Sequence, residues 1–332
     1  MAGALRVAVV GTGAWWGREH ARVFSERADT ALVAVVGRTP ERTESRAAEF
    51  GTRPYTSLAT MLEAEQPDLV SLCLPNEEHF DTTLEVIRAG VPLLVEKPLV
   101  FEQWQAEYLL GEAARRGLFF AINFNHRYAV PVQLAAKAIG GGELGDLVFA
   151  TWRFGGEAGT STHPYANLIE TQCHGFDLLE HLCGPITSVA AQVTDLTGQG
   201  FSTLAVAVGF GNGAVGSLVG SYDSSYAYPR TQALEVNGTL GRVLVDDTVK
   251  RFTQSRTGDP TSRVWEAGYF DDRGRAFSAM FSAHLDELVP ALVAGEAPPV
   301  HARAGARALD LAAAVITSAQ ERRHVAVAPP KA

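Results

Sequence analysis

The stretch Leu93-Leu94-Val95-Glu96-Lys97-Pro98 decides the fold, because it is a short apolar run that ends in a charged pair and a proline. An apolar run of this length between two helical patterns predicts a buried parallel strand. Ligands bind outside the carboxyl ends of such strands in open α/β sheets, so Lys97 is placed where chemistry is usually done. Pro98 keeps Lys97 out of the helical conformation and permits a cis peptide bond. Position alone also allows a surface lysine in a strand-to-helix loop, paired with Glu96.

The length of 332 residues exceeds the size at which one hydrophobic core stops growing, so two domains are expected. A composition of 46% hydrophobic and 20% charged residues is that of an ordinary globular protein. The net charge of −9 argues against a nucleic-acid partner, which requires a basic patch.

Cysteine usage and the absence of targeting patterns favour a cytoplasmic location. Cys73, Cys173 and Cys183 have no CxxC spacing and suit a reducing compartment. The first residues lead directly into a strand and lack the pattern of a signal peptide. No apolar run reaches the ~18 residues that suggest a membrane span, so no membrane partner is expected.

Toward the N-terminus, a glycine-rich turn joins the predicted strand 7–10 to a predicted helix over 18–27. Such glycines let the backbone approach a pyrophosphate, which binds at the N-terminus of the helix. The usual spacing is G-x-G-x-x-G, but here a tryptophan stands at the third glycine position and Gly17 follows one residue late. A dinucleotide site is therefore predicted, and the role of Gly17 stays open. The turn reads Gly11-Thr12-Gly13-Ala14-Trp15-Trp16-Gly17.

The end of the second predicted strand, 32–36, bears on the choice of cofactor. An NAD site places an acidic residue here to bond the ribose 2′-hydroxyl. This chain has Gly37-Arg38-Thr39-Pro40 instead, with no acid before Glu41. An arginine beside a hydroxyl suits a 2′-phosphate, so NADP(H) is favoured, with contacts from Arg38 and Thr39. NAD(H) stays possible, since Arg38 is also explained by stacking on adenine or by facing solvent.

The segments before residue 122 alternate strictly between strands and helices, which predicts a doubly wound parallel sheet. The predicted strand 68–74 ends at Leu74, and Pro75 and Asn76 follow it. His79 begins the next predicted helix. Leu74, Pro75, Asn76 and His79 are therefore predicted at the cofactor edge, although a capping or surface role explains His79 nearly as well.

The glycine turn, the Pro75-Asn76…His79 segment and Glu96-Lys97-Pro98 together resemble the Gfo/Idh/MocA oxidoreductases. That family includes glucose–fructose oxidoreductase, inositol dehydrogenases and many sugar dehydrogenases. The resemblance covers essentially the whole chain. It implies a catalytic role for Lys97, a peptide bond to Pro98 that is often cis, and cofactor contacts from Glu96, Lys97 and Pro98.

Two segments of the second half are candidates for substrate contacts. Asn123-Phe124-Asn125-His126-Arg127-Tyr128 resembles the family's Asn-x-Arg-aromatic segment, which implies Arg127 near cofactor or substrate. Pairing with a structural carboxylate is the alternative for Arg127. The polar, glycine-rich loop 155–167 contains His163 and Tyr165, which suit sugar hydroxyls, although a solvated loop explains them equally well.

Glu170, His174, Asp177 and His181 recur at spacings of four, three and four, which places them on one face of a predicted helix. Apolar neighbours predict that part of this helix is buried, so the ionisable groups need partners or a function. The resemblance implies that His174 is the general acid/base and that Glu170 and Asp177 serve the substrate. Gln172 departs from a frequent glycine of the family. No metal site is expected, because the eleven-residue separation from Glu170 to His181 spans about 16 Å of helix, which is too long for one ion.

From residue 187 onward the pattern is one of strands, followed by helices predicted at about 275–294 and 303–321. The predicted architecture is an N-terminal Rossmann domain over 1–122 and a C-terminal α+β domain over 123–332. The second resembles the family's large, mostly antiparallel open sheet. The free face of that sheet is commonly a dimer surface in the family, so a homodimer or homotetramer is expected.

Together with the resemblance, these observations predict an NADP(H)-linked oxidoreductase that acts on a carbohydrate or cyclitol alcohol/ketone pair. His174 is suited to moving the proton of the carbinol oxygen near neutral pH, and Lys97 to holding that oxygen. Three alternatives stay open: an NAD-dependent inositol or polyol dehydrogenase, a non-catalytic dinucleotide sensor of the same fold, and a trans-dihydrodiol-type dehydrogenase of non-sugar rings.

Overall fold

A computed structural model describes residues 3–156, 161–198, 200–268 and 278–330. The chain divides into two compact units. The first contains Met1–Phe124 and Phe281–Ala306, and the second contains Asn125–Met280 and Arg307–Ala332. The division differs from the predicted 1–122 and 123–332, because a segment near the C-terminus belongs to the first unit.

The first unit contains a parallel sheet, and six strands are described in it, in the order β3-β2-β1-β4-β5-β6. This order confirms the doubly wound Rossmann arrangement. Its switch point lies between β1 and β4, where the direction of the crossovers changes. The strands are β1 (Leu5–Val10), β2 (Thr30–Val36), β3 (Arg53–Tyr55), β4 (Leu69–Leu72), β5 (Leu93–Val95) and β6 (Phe120–Ile122).

Helices alternate with these strands as predicted. Ser57 caps the third of them, because its hydroxyl accepts a hydrogen bond from the Thr60 N–H at 3.3 Å. Gly90 ends the fourth helix in the left-handed conformation. The helices are α1 (Trp16–Glu26), α2 (Pro40–Phe50), α3 (Leu58–Glu65), α4 (His79–Ala89) and α5 (Gln103–Arg115), with a short 3₁₀ turn at Asn76–Glu78.

A helix from the end of the chain completes the core of the first unit. This helix, α8 (Ala279–Ala294), carries apolar residues at positions that share one face. Phe281 stacks on the buried His20 ring, with centroids 4.0 Å apart, and meets Phe24 edge-on. The face is buried with the strands of the Rossmann sheet, which is why the segment joins the first unit. The buried face of α8 consists of Phe281, Leu285, Leu288 and Val289.

The second unit is built on a mixed, mostly antiparallel sheet, as predicted. The described strands follow the order β14-β13-β12-β11-β7-β10-β9-β8-β15, and the β7–β10 pair is parallel. The strands are β7 (Leu147–Gly155), β8 (Ile186–Thr194), β9 (Thr203–Phe210), β10 (Val215–Ser221), β11 (Gln232–Gly238), β12 (Gly241–Asp246), β13 (Arg251–Arg256), β14 (Ser262–Glu266) and β15 (Val325–Ala326).

Helices of the second unit include α6 (Val130–Gly140), α7 (Cys173–Cys183) and most of α9 (Arg303–Glu321), together with a 3₁₀ turn at Asn125–Tyr128. The predicted helix over 275–294 is observed from Ala279, and its positions 275–277 lie outside the described residues. Throughout the described ranges, every helix is too short or too polar to cross a lipid bilayer.

Candidate functional site

A cavity of about 610 Å³ opens at the carboxyl ends of the strands of the first unit. Such an edge, at the switch point of a doubly wound sheet, is where ligands bind in this architecture. The lining residues include most of those predicted for the cofactor. They are Val10, Gly11, Thr12, Gly13, Trp15, Trp16, Gly17, Val36, Gly37, Arg38, Arg42, Thr56, Leu58, Cys73, Leu74, Pro75, Asn76, Glu78, Thr82, Glu85, Glu96 and Lys97.

The three glycines of the turn have different structural roles. Gly11 has φ +122°, and a Cβ there would lie 1.9 Å from the Cys73 carbonyl oxygen. A Cβ at Gly17 would lie 2.4 Å from the Gly11 carbonyl oxygen, so Gly17 permits the close packing of α1 on the turn. A Cβ at Gly13 would meet nothing within 4 Å. Gly17 therefore takes the packing role of the third glycine, and Trp16 lines the cavity.

The turn fits the phosphate groups of a dinucleotide. The N-terminus of α1 lines the cavity and has no side-chain cap, and a helix N-terminus is a favourable place for an anion. The buried Thr12 hydroxyl has no hydrogen-bond partner among the described residues. A Cβ at Gly37 would lie 2.4 Å from that hydroxyl, so only glycine leaves the space beside it open. Thr12, Gly13 and the first turn of α1 are the groups that would hold the pyrophosphate.

The edge beyond β2 carries an ion pair across the cavity lining. The Arg38 guanidinium is 74% exposed and its Nη1 lies 2.9 Å from Oε1 of Glu78. Thr39 does not line the cavity; it is the N-cap residue of α2, and its hydroxyl accepts a long hydrogen bond from Arg42 at 3.4 Å. Arg38 thus lies at the predicted edge of the cavity. Glu78 is an acidic residue at the same edge that the sequence pattern did not predict.

Lys97 follows β5 and lines the same cavity, and the Lys97–Pro98 peptide bond is cis. The preceding Glu96 is buried and lies in a hydrogen-bonded chain that runs beneath the cavity. Its Oε1 accepts from Nδ2 of Asn123 at 2.6 Å and lies 3.0 Å from Nε2 of His20. Its Oε2 accepts from the Lys97 backbone N–H at 3.2 Å. This chain fixes the backbone from which the lysine side chain extends.

The charge of Glu96 is stabilised in place. Burial by itself raises the pKa of the Glu96 carboxyl, but the hydrogen bonds from His20 and Asn123 and the nearby Lys97 charge outweigh it, so the pKa is lowered from 4.5. The His20 ring also lies 2.9 Å from the Ser71 hydroxyl, and the His284 ring lies 3.0 Å from Asn123 Oδ1. A buried carboxylate beside Lys97 therefore remains ionised at neutral pH.

Four residues predicted at the cofactor lie outside the cavity lining: Ala14, Thr39, His79 and Pro98. His79 is buried at the start of α4, and its two ring nitrogens lie 2.8 Å from the Pro98 carbonyl oxygen and 3.1 Å from that of Leu74. The ring thus joins the loop after β4 to the loop after β5. His79 therefore has a structural role, because its ring connects the two cavity-lining loops.

In the second unit, the segment predicted as one helix with four ionisable residues forms two separate elements. A π-helical turn, Asn167–Thr171, precedes α7, which begins at Cys173. Glu170 therefore lies in the turn and His174 in the first turn of α7. Gln172 lies between them, fully buried, where its side chain accepts from Trp152 Nε1 at 3.2 Å and donates to Asn167 Oδ1 at 3.1 Å. The departure from glycine at this position fills the core of the second unit.

His174 is buried and stacks face to face on a second buried histidine. The His126 and His174 ring centroids are 3.8 Å apart, with 9° between their planes. The His126 ring also lies near Trp152, with centroids 6.4 Å apart. The stack fixes the plane of the His174 imidazole.

Asp177 forms a bidentate ion pair with Arg127. Arg127 Nε donates to Oδ2 at 2.8 Å and Nη2 donates to Oδ1 at 2.5 Å, with the Asp177 side chain almost fully buried. Burial lowers the pKa of Arg127, but the Asp177 charge and hydrogen bonds raise it above its usual value overall. The carboxylate pairing considered for Arg127 is the one observed, and both oxygens of Asp177 are engaged by it.

The loop before α7 places two predicted residues in contact with each other. His163 Nδ1 accepts from the Tyr165 backbone N–H at 3.2 Å, and the two rings meet edge-on. The Tyr165 hydroxyl accepts from Gln320 at 3.1 Å, and its ring packs on Phe201. Tyr165 is therefore engaged with its own unit. Positions 157–160 of the predicted loop lie outside the described residues.

Sequence reasoning missed three residues that the structure places at or under these sites: His20, Glu78 and His126. His20 lies three residues after Gly17, so it shares the buried face of α1, and that spacing is a usable signal. Glu78 and His126 carry no local signal, because their partners are distant in the chain.

The chain matches two family models. The model described as an oxidoreductase family with an NAD-binding Rossmann fold matches residues 5–124, and the Gfo/Idh/MocA C-terminal domain model matches residues 132–244. This chain belongs to the Gfo/Idh/MocA oxidoreductases. It is an oxidoreductase with an NAD-binding Rossmann fold, and the resemblance stated from its motifs is confirmed.

Curated members of the Gfo/Idh/MocA family resemble the chain to different extents. D-glucoside 3-dehydrogenase of Escherichia coli K12 is 33% identical over 150 residues, which is 45% of this chain and 43% of that protein. Inositol 2-dehydrogenase of Rhizobium meliloti is 24% identical over 330 residues, which is 94% of this chain and 96% of that protein. The chain thus spans less than half of the first relative and nearly all of the second.

Solved structures of Gfo/Idh/MocA enzymes share the fold. A levoglucosan dehydrogenase in complex with NADH and levoglucosan superposes with a TM-score of 0.88 at 17% identity, covering 98% of this chain and 99% of that one. The WlbA dehydrogenase of Bordetella pertussis, in complex with NADH and UDP-GlcNAcA, superposes with a TM-score of 0.82 at 21% identity, covering 98% of each chain. At these identities the likeness concerns the architecture.

Proposed function

We propose that this oxidoreductase transfers a hydride between NADP(H) and a secondary alcohol or ketone of a sugar or cyclitol. One observation carries the proposal: Lys97 lines the same cavity as the glycine turn, at the carboxyl end of the buried strand β5. A lysine at that place is within the part of the sheet edge that binds a dinucleotide. The names of the relatives, a glucoside dehydrogenase and an inositol dehydrogenase, support a sugar or cyclitol substrate.

The proposed chemistry assigns a proton to the protein. The bound nicotinamide supplies the hydride acceptor or donor. In the oxidative direction, His174 accepts the hydroxyl proton, since a neutral imidazole is a base suited to neutral pH. Lys97 donates a hydrogen bond to the same oxygen and stabilises its negative charge as the proton leaves. Glu170 offers an acceptor to a neighbouring substrate hydroxyl.

The preference for NADP(H) rests on Arg38. Its guanidinium is exposed at the cavity edge beyond β2, where no acid of that strand's loop stands before Glu41. A guanidinium binds a phosphate through charge-assisted hydrogen bonds, so Arg38 is assigned to the 2′-phosphate. Arg42 lines the same edge and adds a second positive charge.

The remaining expectations are proposed with it. A cytoplasmic location follows from the cysteine usage, and a homodimer or homotetramer from the open sheet of the second unit. An NAD-dependent inositol or polyol dehydrogenase is the second candidate. It is favoured by the inositol dehydrogenase that matches nearly the whole chain.

Calorimetric titration of NADPH and NADH, followed by a panel of keto sugars and polyols, tests the proposal. We expect tighter binding of NADPH and turnover with a sugar or cyclitol. Tighter binding of NADH with turnover of inositol supports the second candidate, and binding without any turnover supports a sensor.

Replacement of the lysine tests the chemistry separately from binding. Lys97→Ala is expected to lower kcat about 10³-fold, with the cofactor Kd within a few-fold of wild type. Lys137→Ala, on the exposed side of α6, is the matched control and should leave both unchanged. Wild-type turnover in Lys97→Ala would remove the catalytic assignment.

A further inference from the structure

Glu78 brings a carboxylate to the cofactor edge from an unexpected element. It ends the short 3₁₀ turn Asn76–Glu78 that follows β4, whereas Arg38 follows β2. Both side chains line the dinucleotide cavity, and Oε1 of Glu78 lies 2.9 Å from Nη1 of Arg38. The Glu78 side chain is 28% exposed and the Arg38 side chain 74%, so the arginine extends over the cavity toward a more enclosed acid.

Two other acids line the cavity and do not share this position. Glu96 directly follows β5 and accepts from Asn123 and the Lys97 backbone. Glu85 lies two turns further along α4 and is exposed. Among the described acids, Glu78 is the one whose carboxylate forms an ion pair with Arg38.

We propose that Glu78 is a specificity-determining residue. Its carboxylate competes with the 2′-phosphate of NADP(H) for Arg38 and so shifts the binding preference toward NAD(H). The inference rests on the proposed function, in that a dinucleotide occupies this cavity. A carboxylate at the end of β2 is the usual acceptor for the ribose 2′-hydroxyl, and this chain has none there. Glu78 supplies an acceptor at the same edge from the loop after β4.

The competition has a definite sign. A 2′-phosphate must take Arg38 from Glu78 and remain beside a negative charge, so the carboxylate weakens NADP(H) binding. A ribose 2′-hydroxyl requires no such exchange and can donate to the carboxylate, which favours NAD(H). Replacing Glu78 by glutamine removes the charge and preserves the shape, so it should shift the preference toward NADP(H).

Calorimetric titrations of NADPH and NADH into wild type and Glu78→Gln measure this shift. We expect the Kd for NADPH to fall about tenfold at low salt, and less at high salt because the charges are screened. The Kd for NADH should stay the same or rise a few-fold. Glu77→Gln is the matched control: it removes the same charge one residue earlier, from an exposed side chain that does not line the cavity.

Arg38→Ala separates competition for the arginine from general repulsion. In the Arg38→Ala background, Glu78→Gln should improve NADPH binding by no more than about threefold, because no pair remains to be broken. An unchanged NADPH to NADH ratio in Glu78→Gln, or an equal shift in Glu77→Gln, overturns the inference and leaves the proposed function standing. Failure of the wild-type protein to bind either dinucleotide overturns both.

Discussion

The dinucleotide cavity of the first unit and the histidine cluster of the second are built by different means. The cavity is shaped by backbone: glycines at the turn, strand ends and the first turn of α1. The histidine cluster is made of buried side chains that hold one another, His126 on His174 and Arg127 on Asp177. A site made of backbone depends on local residues with fixed spacing. A site made of side-chain pairs depends on partners about 50 residues apart in the chain.

The largest expected effect is at Gly11 and tests the backbone-built site. Gly11→Ala places a Cβ 1.9 Å from a carbonyl oxygen at a φ that side chains rarely adopt. We expect the free energy of unfolding to fall by about 3 kcal/mol or more, measured by urea denaturation. Gly13→Ala meets nothing in the protein and should leave stability within about 0.5 kcal/mol, while weakening NADPH binding at least tenfold. Equal stability losses in the two variants would contradict the division of roles.

Asp177→Asn tests the paired site at nearly the same scale. It leaves the partly buried Arg127 without its charged partner, so we expect unfolding free energy to fall by about 3 kcal/mol. The control is Asp246→Asn, which breaks the more exposed pair with Arg230 and should cost less than about 1 kcal/mol. A loss at Asp177 no larger than at Asp246 would show that the pair is held for another purpose.

Glu96→Gln tests a buried carboxylate that supports the backbone of Lys97. This residue therefore combines the two ways of building a site, by backbone and by paired side chains. We expect a loss of about 2 kcal/mol at pH 7, because the hydrogen bonds to His20 and Asn123 lose their charge. The folded pKa of Glu96 is lowered, so its contribution is complete above the unfolded value of 4.5 and disappears as pH falls through the folded value. Denaturation from pH 7 to pH 3 should show the difference from wild type narrowing below pH 4.5; a constant difference would contradict it.

The smallest effect is expected from the stacked histidines. His126→Ala removes the ring that fixes the plane of His174 and should lower kcat about tenfold, with KM within about twofold. His126→Phe restores an aromatic face and should recover kcat to within about threefold. Steady-state kinetics with the substrate found in the panel measures both. Equal losses in the two variants would assign His126 a role beyond stacking.

Much of the first unit was predictable from sequence because its signals are local. The strands around residues 7–10 and 93–95 are apolar runs bounded by turn residues, and Ser57 and Gly90 mark helix ends through their own side chain or its absence. The segment 281–306 was predicted within the second domain, whereas it groups with the first unit. Its apolar periodicity predicts a helix, but periodicity does not say which core the helix joins.

The second unit contains features that local sequence signals did not predict. Spacing alone placed Glu170 on one helix with His174, whereas the backbone forms a π-helical turn there before α7 begins. The insertion accompanies a buried network in which Gln172 joins Trp152 and Asn167. Those partners belong to different elements, so the residue pattern around 170 carried no sign of them.

By itself, the sequence determined the alternation of strands and helices, the glycine turn and the position of Lys97 after a buried parallel strand. These follow from local rules, in which each residue's spacing and conformational range act on its neighbours. The tertiary structure decided that Gly17 is the packing glycine, that Glu78 reaches Arg38, and that His126 covers His174. Those choices depend on distances between elements that meet only when the chain folds, and the energies that select them are absent from any short stretch of residues.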